Sequence, residues 1–281
     1  MRKYIFYITF LIFYSCEKVI NIDTDYSDER IVLDATVFKN IYQKFATATV
    51  KVSKTAPYFD ENNTEISDAV VYIKTKNENI YLNYNTEKKY YTNTIDYINF
   101  VEEYEFFINY EKQNYYSSEK LIQIPGIESV IFGNRKSLNK DEIELLVTFT
   151  DPKGIGDYYL WKFGPKGLEN KYDYLVARDF YIDGNQFTFS FFIDKTEYFK
   201  KDEFVYIEMT GITEECYNYL NILTSQAGAQ NGRPFSSASS IIKGNIINQS
   251  NPEKFPLGYY RVSEFDYFRL SKEDALDGVF D

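Results

Sequence analysis

Short segments in which apolar and polar residues alternate, separated by turn residues, recur along most of this chain. In residues 46–54, for example, Val50 and Val52 fall on one side of an extended backbone and polar residues fall on the other. A period of two residues is typical of a β-strand with one buried face, whereas a helix buries positions three or four residues apart. The alternation therefore restricts the chain mainly to β architectures.

The first half of the chain predicts a β-sandwich over residues 30–124. Its predicted strands are residues 30–38, 46–54, 69–75, 79–84, 89–92, 104–110 and 115–124. About seven short strands at this spacing are typical of an immunoglobulin-like sandwich. Asp68-Ala69-Val70-Val71, Tyr90-Tyr91 and residues 104–108 also resemble the pattern of transthyretin-like and carboxypeptidase-regulatory-like β-domains, which usually mediate contacts.

A second β-rich domain with one amphipathic helix is predicted over residues 125–281. Pro125-Gly126 marks its start, because neither residue continues a strand comfortably. Thr213 is the predicted N-cap of a helix at residues 213–227, and Gly228 is the predicted residue at which the helix ends. The predicted strands are residues 127–132, 142–150, 157–163, 186–193, 203–210 and 257–262, with a possible extension over 265–270. The buried face of the helix is predicted to contain Ile212, Cys216, Tyr219, Leu220, Leu223 and Ala227.

The first fifteen residues have the pattern of a cleaved signal peptide. Arg2 and Lys3 are followed by an uncharged run over residues 4–14, too short for a membrane-spanning helix. The run ends at Ser15-Cys16, which predicts a lipoprotein with lipid on Cys16 and an acidic tether over residues 16–29. An ordinary secretory signal, or a buried first strand, are the alternative interpretations of the same residues.

Composition excludes several classes of function. The formal net charge is -11 and no local cluster of Lys and Arg opposes it, so nucleic-acid binding is not expected. The chain has no histidine, which excludes Ser-His-Asp and Cys-His catalysis and histidine-ligated metals. Once Cys16 is lipidated, Cys216 has no partner for an internal disulfide, and its place on the apolar helix face predicts a buried core residue.

No set of residues in the sequence predicts a cofactor, a metal site or an enzyme. Asp23-Thr24-Asp25 lacks the glycine and closing glutamate of a calcium loop, and Gly154-Ile155-Gly156 lacks the third glycine of a phosphate loop. Carboxylates are plentiful, but nothing singles out the pair that a glycosidase needs. Catalysis on glycans is therefore only a distant third hypothesis.

A ligand site, if present, is predicted in the second domain. The loop of residues 231–240, with Asn231, Arg233 and Phe235, is the first candidate, because its length and small residues have no packing explanation. Trp161 is the other candidate, although its alternation with Tyr159 and Phe163 favours a packing role. The 28 Tyr and 24 Phe suit β-strands, and an aromatic binding surface is the alternative interpretation.

Several segments together resemble a Bacteroidota lipoprotein family known as domain of unknown function 4249. They are Cys16-Glu17-Lys18-Val19-Ile20, Val147-Thr148-Phe149-Thr150-Asp151-Pro152 with Tyr158-Tyr159, Ala177-Arg178-Asp179 with Asp183-Gly184, Cys216-Tyr217-Asn218-Tyr219-Leu220, the Pro234 loop with residues 236–239, and Leu257-Gly258-Tyr259-Tyr260. In many relatives the last segment reads Leu-Gly-Tyr-Phe, so Tyr260 departs from the pattern. The acidic residues after Cys16 also resemble the surface-export signals of Bacteroidota lipoproteins.

The resemblance implies an outer-membrane lipoprotein, often encoded beside a TonB-dependent transporter, with no established enzyme activity and no catalytic residues. The first hypothesis is therefore a surface-exposed accessory or ligand-binding partner of a TonB-dependent uptake system. The alternative is a stand-alone structural or adhesive envelope lipoprotein with no transport role.

Overall fold

The structure is a computed structural model that describes residues 29–56, 64–154, 156–164, 172–199, 204–229 and 241–274. Within them the chain is mainly β, which confirms the predicted fold class. The strands are β1 (Ile31–Asn40), β2 (Ala46–Lys54), β3 (Val70–Lys74), β4 (Asn79–Tyr81), β5 (Asn83–Asn85), β6 (Tyr90–Ile95), β7 (Glu103–Tyr110), β8 (Gln113–Lys120), β9 (Ser129–Phe132), β10 (Glu142–Thr150), β11 (Tyr158–Gly164), β12 (Asp173–Arg178), β13 (Gln186–Asp194), β14 (Phe204–Ile212), β15 (Ile247–Asn248) and β16 (Leu257–Ser271). The helices are α1 (Lys195–Tyr198) and α2 (Glu214–Ala229), and a 3-10 helix spans Lys272–Asp274.

Three sheets build the part of the chain that the structure describes. A long sheet of eight strands has the order β12-β11-β14-β16-β1-β2-β6-β5. A five-stranded sheet, β15-β8-β7-β3-β4, covers one half of the long sheet, and a three-stranded sheet, β13-β10-β9, covers the other half. Each half is therefore a sandwich of two sheets around its own apolar core.

The first core forms from the inward positions of alternating strands. Leu33, Ala35 and Val37 of β1 are fully buried, and Phe106 and Ile108 of β7 meet them from the five-stranded sheet. The second core follows the same rule, with Leu145 and Val147 of β10 packed against the inward face of β11. The period of two that predicted these strands thus places their apolar residues between the sheets.

The last strand, β16, belongs to both sandwiches. Residues 257–265 pair in parallel with β1, and residues 265–271 pair antiparallel with β14. Gly258, at φ +100, makes the parallel approach possible, because a Cβ there would lie 2.0 Å from the carbonyl oxygen of Leu33. Tyr260 therefore packs in the first core and Leu270 in the second.

The predicted division of the chain after residue 124 is thus incomplete. The two cores do lie on either side of Pro125-Gly126 in sequence, but the first sandwich also contains Ile246 and the first half of β16. The physical reason is that β1 has two edges, and β2 covers only one of them. A strand from the far end of the chain covers the other.

The segment between the sandwiches is fastened to β16 by carboxylates. Asp266 Oδ2 accepts a hydrogen bond from the Ile127 amide at 2.8 Å. Glu264 Oε1 accepts a hydrogen bond from Lys39 Nζ at 2.6 Å. Glu264 Oε2 accepts a hydrogen bond from the Ile124 amide at 3.4 Å. Buried backbone amides need hydrogen-bond partners when water is excluded. These buried carboxylates supply such partners and so hold the segment between the sandwiches against β16.

The helix begins where the sequence predicted. Thr213 Oγ1 accepts a hydrogen bond from the Cys216 amide at 3.2 Å, which confirms Thr213 as the N-cap. The helix runs to Ala229, so Gly228 lies inside it. Leu223 is 42% exposed and was wrongly predicted to be buried, because the described side chains of α2 that pack on the long sheet lie in the first half of the helix. The side chain of Ala227 lies outside the described part of the structure.

None of the helices in the described part of the chain has the length and apolar character needed to cross a membrane.

Candidate functional site

Trp161 lies in the second core and is 1% exposed on β11. Its ring contacts Phe149 and Phe189 at centroid distances of 5.4 and 5.0 Å. A ligand cannot reach a side chain enclosed in this way, so the prediction of Trp161 as a ligand-binding residue is wrong. The reason is the alternation itself, since Trp161 shares the inward face of β11 with Tyr159 and Phe163.

The other predicted ligand-binding residues, Asn231, Arg233 and Phe235, fall outside the described residues, as does the lipidation site Cys16. They remain predictions. The described residues do, however, contain a cluster of ionisable groups that the sequence analysis did not single out.

Three aspartates come together at one end of the second sandwich. Asp151 follows β10, Asp157 precedes β11 and Asp179 follows β12. One carboxylate oxygen of each lies within 4.8 Å of the others. We call these three residues the aspartate cluster. The loop between β10 and β11 supplies Asp151 and Asp157, and the loop that follows β12 supplies Asp179 from further along the chain.

Hydrogen bonds orient the two buried members of the aspartate cluster. Asp151 is 1% exposed; its Oδ1 accepts the Tyr159 hydroxyl at 2.6 Å and its Oδ2 accepts the Gly184 amide at 3.3 Å. Asp179 is 2% exposed, and its Oδ2 accepts the Gly156 amide at 3.0 Å. Each carboxylate therefore ties its own loop to another part of the site.

A third side-chain contact also connects the two loops. Asp183 Oδ1 accepts a hydrogen bond from the Gly154 amide at 2.7 Å. Gly154 and Gly156 have φ values of +129° and +123°, a region that residues with a Cβ rarely adopt. Glycine at these two positions allows the first loop to present its amides to the carboxylates of the second loop.

The aspartate cluster is electrostatically strained. Burial, together with the charges of Asp151, Asp179 and Asp183, raises the pKa of Asp157 to about 6. Burial also raises the pKa of Asp151, although the hydrogen bonds from Tyr159 and Gly184 oppose the rise. No lysine or arginine in the described part of the chain forms an ion pair with the cluster, so within that part only hydrogen bonds offset the mutual repulsion of the carboxylates.

The aspartate cluster offers the oxygen ligands that a hard cation such as Ca²⁺ uses. Asp151, Asp157 and Asp179 would supply one carboxylate oxygen each. A glycosidase mechanism fits the geometry less well, because it needs two carboxyl groups that a sugar can reach. Asp151 and Asp179 are almost fully buried and already hydrogen-bonded, and only Asp157 is partly exposed.

An exposed aromatic pair stands beside the aspartate cluster. Phe180 is 58% exposed and Tyr181 is 90% exposed, and their rings meet edge to face at 4.9 Å. The guanidinium of Arg178 lies 5.2 Å from the centre of the Phe180 ring. We call Phe180 and Tyr181 the aromatic tip. It presents a large apolar area to solvent on a loop that the aspartates hold in shape.

Some residues of this site belong to segments that the sequence analysis had already named. Asp151-Pro152, Ala177-Arg178-Asp179 and Asp183-Gly184 are among the segments that carry the family resemblance, yet no spacing rule connects them. Only the return of β12 alongside β11 brings these loops together.

A second group of buried polar atoms lies near the start of α2. The hydroxyl of Tyr260 is fully buried and has no hydrogen-bond partner in the structure. Tyr260 and Cys216 line a cavity of about 10 Å³, which has room for about one water molecule. Burial raises the pKa of the Cys216 thiol to about 11, so this cysteine stays protonated at neutral pH. Its 1% exposure confirms the predicted core role.

Comparisons with known proteins place the chain in a family. Two solved structures show only a weak likeness: the two fibronectin type III domain segment from chicken tenascin, with 8% identity, a TM-score of 0.22 and coverage of 64% of this chain and 90% of that one; and the FN1–FN3 domains of chicken CNTN1, with 14% identity, a TM-score of 0.21 and coverage of 64% and 59%. No curated protein matches the sequence. The family described as "Domain of unknown function (DUF4249)" matches residues 17–267, so the chain belongs to the DUF4249 family.

Proposed function

We propose that this protein is an outer-membrane lipoprotein, lipid-anchored and exposed at the cell surface, that acts as an accessory or ligand-binding partner of a TonB-dependent uptake system. The observation that carries the proposal is the family match, which starts at residue 17, directly after Cys16. The family resemblance implies a place beside TonB-dependent transporters.

The N-terminal residues support the anchor. Arg2 and Lys3, the uncharged run over residues 4–14 and Ser15-Cys16 follow one another in the order that lipidation requires. Each buried methylene of a lipid chain contributes about 0.8 kcal/mol, and two or more chains hold a protein stably on a membrane. The anchor would therefore keep the β-sandwiches at the membrane surface.

The aromatic tip supports a contact role. Exposed aromatic side chains often supply the central contacts of protein interfaces and of ligand pockets. Phe180 and Tyr181 are presented by a loop that Asp179 and Asp183 fasten to its neighbour. Little conformational entropy is lost when such a preorganised loop binds a partner. We place the contact with the transporter or its ligand here.

An affinity purification tests the accessory role. The tagged full-length protein is expressed in its native host, extracted gently from membranes and purified with its bound proteins, which mass spectrometry then identifies. We expect an outer-membrane transporter to be recovered in an amount equal to that of the tagged protein. Recovery of the protein without such a partner would contradict the accessory role and favour the stand-alone envelope protein.

Two matched variants test the contact site. Tyr181→Ala removes the most exposed ring of the aromatic tip and should reduce transporter recovery severalfold, while Tyr42→Ala removes an exposed ring of the first sandwich and should leave it unchanged. Both side chains are at least 80% exposed, so neither variant disturbs a core. Equal recovery with both variants would place the contact elsewhere.

The anchor needs its own test. Cys16→Ala should release the protein from membranes and abolish incorporation of a labelled fatty acid. A Cys16→Ala protein that remains fully membrane-bound would contradict lipid anchoring.

A further inference from the structure

The three-stranded sheet ends in a long strand whose outer edge no other described strand covers. β13 spans nine residues and pairs with β10 on one side only. In an antiparallel pair, every second residue directs its N–H and C=O away from the neighbouring strand. The outer edge of β13 therefore presents a row of backbone donors and acceptors to which a further strand can bond.

β13 differs from the other edge strands in the described part of the structure. β4, β5, β9 and β15 contain two to four residues each, which is too short to serve as a template. β12 is longer, but it begins at Asp173 and ends at Arg178. In β13, residues 186–193 contain no charge, no proline and no glycine, the features by which proteins usually block edge pairing.

The apolar side chains of β13 are also incompletely covered. The inward positions of its neighbour β10, including Leu145 and Val147, are fully buried. In contrast, Phe187 of β13 is 39% exposed, and Phe189 and Phe191 remain partly exposed although they contact the second core. The edge thus combines backbone groups that no described strand covers with accessible aromatic surface.

We propose that β13 pairs antiparallel with β13 of a second copy of this chain, which joins the two three-stranded sheets into one six-stranded sheet. Full overlap places Ser190 opposite Ser190 of the partner subunit. Phe189 then faces the partner's Phe191, Phe187 faces the partner's Ile193, and Thr188 faces the partner's Phe192.

The charges and faces of β13 favour this self-pairing. Its single charged residue, Asp194, lies opposite the partner's Gln186, so no like charges meet. Residues that face the core lie opposite residues that face the core, because full overlap preserves the alternation. A two-fold axis also makes the contact closed, which limits the assembly to a dimer. A strand of a different protein has no symmetry relation to β13, so nothing would require it to match the charges and faces of β13 in this way.

The oligomeric state of the full-length lipidated protein in detergent tests the proposal. Light scattering after size exclusion should give a protein mass about twice that of one chain, with dissociation on dilution. Thr188→Lys puts a charge on the edge strand and should weaken the dimer about tenfold. The control, Thr148→Lys, puts the same charge on the central strand β10 beside residue 188 and should leave the dimer intact.

Cross-linking tests the register and traps even a dimer that dissociates during size exclusion. Two cysteines at position 190 would face each other within disulfide range, so Ser190→Cys should form a covalent dimer under mild oxidation. Thr148→Cys, one strand further in, should not. The buried Cys216 does not compete. Circular dichroism confirms that each variant folds.

Three results would overturn the proposal. One is a monomer at every concentration with no cross-link through position 190. Another is a dimer that withstands Thr188→Lys and gives no such cross-link, because another face would then form the contact. Cross-linking of Ser190→Cys to a different protein, with no homodimer, would likewise exclude self-pairing.

Discussion

The buried hydroxyl of Tyr260 is an unfavourable group in the first core. It has no hydrogen-bond partner, and its ring stacks on Phe106 at 5.0 Å. Leaving a buried polar group unsatisfied costs about 1–3 kcal/mol. We therefore expect Tyr260→Phe to raise the free energy of unfolding by about 1 kcal/mol. The phenylalanine would also match the family pattern described above.

Tyr104→Phe is the matched control, measured in the same denaturant titration. Tyr104 lies in the same core, but its hydroxyl accepts the Asn99 amide at 2.8 Å and donates to the Asn99 carbonyl at 3.2 Å. Removal of that hydroxyl should lower stability by about 1 kcal/mol. Destabilisation by both substitutions would show that water in the adjoining cavity satisfies Tyr260.

The carboxyl group of Asp157 should make stability depend on pH. Its pKa is about 6 in the folded state, against 3.8 for an unperturbed group, so the folded state binds more protons between these values. Stability should therefore fall as pH rises from about 4 to 6. Asp157→Asn removes this penalty and should stabilise the protein at pH 7.5 by about 1 kcal/mol, a value reduced for the screening of a partly exposed group.

Thermal unfolding in a buffer with chelator, which keeps divalent cations from offsetting the charge, measures this effect. The two proteins should become equally stable near pH 4. Asp96→Asn, at an exposed position of the first sandwich, serves as the control and should change little. A destabilised Asp157→Asn at pH 7.5 would contradict the repulsion inferred for the aspartate cluster.

At the scale of one element, the first turn of α2 depends on its cap. Thr213 Oγ1 satisfies the Cys216 amide. Thr213→Ala should cost about 1 kcal/mol, and Thr213→Ser should restore most of it. Thr224→Ala, inside the exposed half of the same helix, should be neutral or slightly stabilising because alanine is the better helix former. Urea unfolding measures the stability of each variant. If Thr224→Ala lowered the free energy of unfolding as much as Thr213→Ala does, the result would argue against the cap.

At the scale of the whole molecule, β16 should couple the two sandwiches. Trp161 is the only tryptophan and lies in the second core, so its fluorescence reports on that core alone. Leu33 is fully buried in the first core, and Leu33→Ala should destabilise by about 2–5 kcal/mol. If β16 holds both cores together, this substitution should lower the denaturation midpoint recorded by Trp161.

Leu145→Ala in the second core supplies the reciprocal test. It should increase hydrogen exchange in the amides of β7 as well as in those of β10, whereas Tyr42→Ala on the surface should affect neither. A Trp161 transition unmoved by Leu33→Ala would mean that the sandwiches unfold independently, despite the shared strand.

The amino-acid sequence by itself determined the local structure. Strands β2 and β10 have the predicted bounds, and α2 has the predicted cap, because alternation and capping depend only on neighbouring residues. Strand β12, with its charged ends, lacked a clear pattern and was missed. The burial of Cys216 also followed from the sequence, since a residue on an apolar helix stripe faces the sheet that the helix covers.

Only the tertiary structure decided which distant segments meet. The pairing of β1 with β16 brings Lys39 against Glu264, 225 positions apart, and the hairpin of β11 and β12 helps to bring Asp179 to Asp151. Alternation shows that a strand has a buried face but does not identify its neighbour, because many strands present equivalent apolar faces and open edges. The packing of the whole chain determines which strands become neighbours. That pairing produces the aspartate cluster, the strand shared by both sandwiches and the enclosure of Trp161.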